Sequence, residues 1–336
     1  MKKARFFGVF FLAVLLGILA GCTGGGGEEK ELKKITIAEP VHLTGYLPLY
    51  AAIHEGYFEE EGLDVEVVTA TGGAHVTTVV SGDAWGNIAG PDSNALANID
   101  SNDPIVSVVN VVNRANVYLM AGGDTPPAGA SEEELAAYLE GKTIAAGRYG
   151  GSPNLLTRYL IMELGMEPGK DVLLEEPADA SAVVSLVENG QADIANGAEP
   201  QIYDGIEKGV WNEPFYGFPS LGDYPYSVIS VKQSTIDEDP ETVQKFVNAI
   251  TKALKAVDED EELAMGVLKK EFPTTDEASL QASLDRAYAD ELWSKDGYIT
   301  EEATDKTMDV VTKTGVYKGD YQYEKLVNME FVESLE

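Results

Sequence analysis

From Lys34 onward, short apolar runs alternate with stretches whose apolar residues fall at helical spacing. Ile35-Thr36-Ile37-Ala38, Leu63 to Val68 and Ile105 to Val112 are short and rich in β-branched residues, which predicts strands. Tyr46 to His54, His75 to Val80 and Asp92 to Asn98 predict helices between them, with Gly56 and Gly82 closing the first two. Trp85 to Ala89 adds a further strand.

The second half keeps the alternation. Ser131 to Leu139 reads as a helix with Ser131 as N-cap and Glu134 at capping-box spacing. Thr143 to Ala146, Val172 to Leu174, Asp193 to Ala195 and Tyr226 to Val231 read as strands. Asn154 to Leu164, behind Ser152 and Pro153, reads as a helix, as do Ala180 to Glu188 and Gln201 to Lys208. After Asp239 the pattern becomes helical only, with Val243, Phe246, Val247, Ile250, Leu254 and Val257 on one face. Strands alternating with helices predict an α/β fold of mostly parallel sheets with helices on both faces.

The first residues follow a different pattern. Lys2, Lys3 and Arg5 precede an uncharged apolar run, Phe6 to Ala20, that ends in Leu19-Ala20-Gly21-Cys22. The run is short for a bilayer span of about 20 residues and has the three-part plan of a secretory signal. Its last four residues resemble the lipobox of bacterial and archaeal lipoproteins. That resemblance implies cleavage before Cys22, the chain's one cysteine, and lipidation of its thiol. Thr23, Gly24 to Gly27, Glu28 and Glu29 then read as a flexible tether.

Charge narrows the function. The 336 residues carry 24 Lys+Arg against 57 Asp+Glu, a formal net charge of −33. Cleavage before Cys22 removes three bases and no acid, giving −36. Nucleic-acid phosphates would be repelled, so that class of partner is excluded. One cysteine rules out a disulfide framework, and three histidines argue against a His-based metal site. Gly141-Lys142-Thr143 lacks the first glycine of a phosphate-binding loop and precedes a strand. His54-Glu55 lacks a second histidine at metalloprotease spacing. No cofactor and no catalytic residue is implied.

In open α/β sheets, ligands bind beyond the carboxyl ends of strands. Candidate ligand-binding residues on those loops are His42, Thr44 and Tyr46 after the first strand, and Gly90, Asp92 and Ser93 after the third, where Asp92 or Ser93 is also expected to cap the following helix. Arg148, Tyr149 and Ser152 join them on a glycine-rich loop. There Arg148 offers a fork for a planar oxyanion, the alternative being a surface arginine on an acidic protein. Glu199 and Tyr226 complete the set. Glu199 is either a hydrogen-bond acceptor for a ligand or a first-turn acid stabilised by the helix dipole. Trp85 is either core or cleft wall.

Three stretches carry a specific resemblance: Tyr46 to Val65 with its Gly56-Tyr57-Phe58 and Glu61-Gly62-Leu63-Asp64-Val65, Ser81 to Gly90, and Gly150-Gly151-Ser152-Pro153-Asn154-Leu155-Leu156. Over most of residues 35–235 the chain resembles the nitrate/taurine/alkanesulfonate and thiamine-pyrimidine-precursor group of ABC-transporter substrate-binding proteins. The resemblance implies a two-lobed type II periplasmic-binding-protein fold with hinge crossovers expected near Gly122 and Ile229. Residues 1–21 then form the signal peptide, 22–33 the lipidated cysteine and tether, 34–121 with 231–336 one lobe, and 122–230 the other. The implied role is a monomeric, lipid-anchored capture protein outside the membrane, delivering a small organic solute to a permease served by a separate ATPase. An extracytoplasmic enzyme or a ligand-sensing ectodomain on the same fold is the alternative. Arg148 and Ser152 suit a sulfonate, nitrate or carboxylate; Glu199 and the tyrosines suit a planar heterocycle. Pyrimidine binders of the group carry Asp-Trp where Glu39-Pro40 stands here, which weakens the heterocycle reading.

Overall fold

The computed structural model describes residues 31–127, 129–178 and 182–335. The signal segment and Cys22 lie outside the described residues, as does the start of the helix expected from Ala180. No helix among the described residues is long and apolar enough to cross a membrane.

The strands are β1 (Lys33–Glu39), β2 (Leu63–Thr69), β3 (Gly86–Ala89), β4 (Ile105–Val112), β5 (Tyr118–Ala121), β6 (Thr143–Ala145), β7 (Leu173–Glu175), β8 (Ile194–Gly197), β9 (Tyr216–Gly217) and β10 (Ser227–Lys232). They form two five-stranded sheets, ordered β2-β1-β3-β10-β4 and β7-β6-β8-β5-β9. Four strands of each sheet run one way. The reversed strand is the first to arrive from the other sheet: β10 pairs antiparallel with β3 and β4, and β5 with β8 and β9. Both sheets belong to one compact unit, Leu32–Glu336.

All eight residues of β4 are buried. That explains a continuous β-branched run in place of strict alternation, since helices cover both faces. Its two polar residues are hydrogen-bonded inside: Ser107 Oγ accepts from Ser230 Oγ at 3.1 Å, and Asn110 Nδ2 donates to Asn113 Oδ1 at 2.8 Å, while Asn110 Oδ1 has no partner.

The crossovers differ from expectation. The chain leaves the first sheet after Val112 and enters the second at Tyr118, so residues 118–121 belong with the second sheet. It returns between Gly217 and Ser227, so β10 lies wholly in the first sheet. β5 escapes the sequence pattern because it is four residues long and follows β4 after a five-residue link with no glycine or proline.

The helix Pro240–Glu259 buries Val243, Phe246, Val247, Ile250, Leu254 and Val257 as their spacing predicts. Asp239 caps it, accepting the Thr242 N–H at 3.2 Å. The Phe246 ring meets Phe58 at 4.7 Å and Trp85 at 5.1 Å between centroids, so Trp85 is packing against this helix. The later helices do not serve the first sheet alone. Glu277–Ala289 touches both the Thr44–Tyr46 turn and the helix Gln201–Glu207, and Glu301–Lys313 touches both Pro91–Ala97 and Ser152–Glu163.

Candidate functional site

Loops at the carboxyl ends of β1, β3, β6 and β8 converge between the two sheets, together with the chain entering β10. Two asparagines shape the second-sheet side. Asn196 Nδ2 donates to the Ala146 carbonyl at 2.7 Å and to Thr157 Oγ1 at 3.0 Å, tying the end of β8 to the end of β6. Asn154 Nδ2 donates to the Gly147 carbonyl at 3.3 Å. Between these anchors Gly147 and Gly150 adopt φ of 75° and 78°, a left-handed backbone that glycine reaches without penalty. This bend presents Ser152, the first residue of the helix Ser152–Glu163, to the opposite sheet.

Ser152 Oγ donates to Asp92 Oδ2 at 3.0 Å, 60 residues away in sequence. Asp92 is 3% exposed and its Oδ1 accepts no aligned hydrogen bond. Burial pushes its carboxyl up from the ordinary range, while the nearby Ser93 amide, the Ser152 hydroxyl and its own amide pull the other way. The expected capping is absent: Gly90 is the N-cap of Pro91–Ala97, and no side chain completes it. Gly90 is required for another reason. A Cβ there would stand 2.1 Å from Asp92 Oδ1 and 3.2 Å from the Tyr226 carbonyl. Ser93, half-buried, donates its amide to the Gly90 carbonyl at 3.1 Å.

Tyrosines surround this carboxylate. Tyr46 is 4% exposed, and its phenol is raised by burial and eased by a hydrogen bond with Ser227. The Tyr226 phenol is raised by burial, then by Tyr46 and Asp92 beside it. Tyr224 is buried as well, with its ring 6.5 Å from that of Tyr226. Tyr46, Asp92, Ser152 and Tyr226 therefore form one cluster drawn from both sheets.

Glu199 belongs to a second cluster. It is 6% exposed, its Oε1 accepts from Arg286 Nε at 2.8 Å, and its Oε2 accepts the Tyr203 N–H at 3.1 Å. Burial raises its carboxyl, and Arg286 and the Tyr203 amide oppose that. Thr44 Oγ1 donates to the Glu199 carbonyl at 3.4 Å. Thr44, Asn116, Tyr118, Glu199, Arg286 and Trp293 line a cavity of only about 10 Å³, room for about one water.

His42 sits in a third group. Its Nδ1 is 2.9 Å from Glu39 Oε1, and its ring packs 4.4 Å from Phe272. The hydrogen bond to Glu39 raises its pKa against the opposing effect of burial. Glu39 itself is buried and also accepts from Tyr50 at 2.6 Å and Thr69 at 2.8 Å, so it holds β1 to its surroundings. Arg148 Nη1 donates to the Tyr149 carbonyl at 3.1 Å, and Tyr149 is 55% exposed with Arg158 over its ring at 5.0 Å.

Two further titratable residues are absent from the candidate set. Arg286 lies 87 positions from Glu199 on a helix with no local signal. His75 opens the predicted helix His75 to Val80 and carries no such signal either. It is 5% exposed with Nδ1 unpaired, and its pKa is lowered to about 4 by burial, with Arg148 adding to the effect.

This architecture, with two sheets exchanging reversed strands and polar loops meeting between them, is the periplasmic-binding-protein type of α/β fold. Residues 28–269 match the NMT1-like family, and the chain belongs to it. It is 27% identical over 324 residues to the putative binding protein YtlA of Bacillus subtilis, covering 96% of this chain and 94% of that one. Among solved structures, it is similar to the periplasmic nitrate-binding protein NrtA of Synechocystis PCC 6803, with a TM-score of 0.73 at 17% identity over 90% of this chain and 88% of that one. It is similar too to the alkanesulfonate-binding protein SsuA of Xanthomonas axonopodis pv. citri bound to MOPS, with a TM-score of 0.70 at 14% identity over 89% and 99%.

Proposed function

We propose that the chain is the extracytoplasmic solute-binding component of an ABC importer, held at the membrane by a lipid on Cys22 and acting as a monomer. It captures a small organic solute between its two sheets and delivers it to a permease whose ATPase is a separate subunit. The carrying observation is the meeting of Asp92 and Ser152 at 3.0 Å, one from each sheet, within a wall of buried tyrosines. A solute that touches both sides favours the closed arrangement, because only differential contact shifts such an equilibrium. The cavity of about 10 Å³ beside Glu199 is too small for any organic solute, so capture requires the sheets to part about the crossovers 113–117 and 218–226. Binding needs no covalent chemistry. The test is a melting-temperature screen of the Cys22→Ser protein against sulfonates, nitrate, carboxylates and amino-heterocycles. One class should raise the transition in a saturable way, and silence from all of them contradicts the reading.

A further inference from the structure

We infer that Asp92 selects a solute presenting a hydrogen-bond-donating nitrogen, an ammonium or an amino-heterocycle, over an oxyanion. This rests on the solute-binding reading and names the chemistry of its site.

Asp92 is nine-tenths buried and accepts from one neighbour across the cleft, leaving Oδ1 unpaired. Buried carboxylates are ordinarily matched by a cation or a full set of donors. No lysine, arginine or histidine among the described residues forms an ion pair with it. Three of the four described arginines are paired with acids. Arg286 holds Glu199, and Arg158 and Arg114 are paired with Glu176 and Asp223. Arg148 donates to the Tyr149 carbonyl and forms no ion pair with Asp92.

An oxyanion placed against Asp92 would set a second negative charge beside a desolvated carboxylate with no intervening cation. A nitrogen donor instead supplies what Oδ1 lacks. Oδ1 itself occupies the space a side chain at position 90 would need, so the glycine is what admits the carboxylate here.

The experiment titrates Cys22→Ser protein and its Asp92→Asn derivative by calorimetry in about 0.15 M salt, where long-range charge is screened beyond about 8 Å. Ethanolamine and putrescine probe ammonium groups, cytosine and 4-aminopyrimidine probe amino-heterocycles, and nitrate, ethanesulfonate and acetate probe oxyanions. The expected result is that a nitrogen probe binds more tightly than every oxyanion, and which pair binds distinguishes ammonium from heterocycle. D92N keeps an acceptor for Ser152 and should weaken that probe about ten- to a hundredfold. It should melt no lower than its parent, since it removes a buried charge. Tighter oxyanion binding overturns the inference and leaves the solute-binding reading intact. An unchanged affinity in D92N, or silence from all nitrogen probes, also overturns it; only silence from the oxyanions as well counts against solute binding. Should D92N fail to fold, the ranking of probes on the parent protein decides.

Discussion

Replacing Arg286 with methionine removes the cation that neutralises Glu199 while keeping the length of the stem. Breaking a buried pair by removing one partner costs about 3–5 kcal/mol when both groups are dry. Here Glu199 is 6% exposed but the Arg286 side chain is 22% exposed, and its second partner Glu213 is 73% exposed. The Glu213 arm therefore contributes little, and the Tyr203 N–H still serves Glu199. We expect a loss of about 2–3 kcal/mol, or about 3–5 °C in a chain of this size. The pH dependence carries the sign. Glu199 already titrates above the ordinary glutamate range because of burial, and removing Arg286 raises it further. A carboxyl raised in the folded state costs stability above its folded pKa and none below its unfolded pKa, near 4.3. The deficit of R286M should therefore shrink as pH falls from 8 to 5. Glu199→Gln added to R286M should recover most of the loss at pH 8, since no buried charge is then left alone. Urea melts of the three variants at both pH values test this. A double variant as unstable as R286M, or a deficit independent of pH, would refute the reasoning.

Three further expectations follow from the geometry. Gly90→Ala should lower stability by about 1–3 kcal/mol, because its Cβ would meet Asp92 Oδ1 at 2.1 Å; a melting point equal to the parent's would contradict the placement of that carboxylate. In NMR titrations His75 should have its midpoint at about 4, while His42 titrates above 6.5 because Glu39 accepts from its imidazolium; the reverse order would place the two rings wrongly. Cys22→Ser should shift the protein from the membrane fraction to the soluble fraction without changing its melting temperature, and retention after a salt wash would contradict lipid anchoring.

Much of the fold was legible because periodicity and caps are local. The apolar face of Pro240–Glu259 and the capping box of Ser131 with Glu134 follow directly from residue spacing. The crossovers were less legible. β5 is four residues long, and its reversal depends on partners β8 and β9, which lie far along the chain. The site was legible by address more than by partner. The loops were placed by the rule that ligands gather at strand ends, and Tyr46, Asp92, Ser152 and Tyr226 do meet. That Asp92 turns from its own helix to accept from Ser152 is a long-range fact that no local pattern encodes. The same holds for Glu199, whose role is set by Arg286 on a distant helix. Trp85 was ambiguous in sequence because strand-edge tryptophans serve either role; Phe246 decides for packing.

The central claim is that a solute is held between the two sheets and draws them together. Spin labels at Lys252→Cys, on the helix beside the first sheet, and Lys170→Cys, beside β7, in the Cys22→Ser background would report the separation of the two sides. The distance is measured by pulsed electron resonance while titrating the panel compound that stabilises the protein most. The account predicts one saturable transition from a broad, longer distribution to a narrow, shorter one, at the concentration where calorimetry saturates. An unchanged distribution at saturating compound would contradict it.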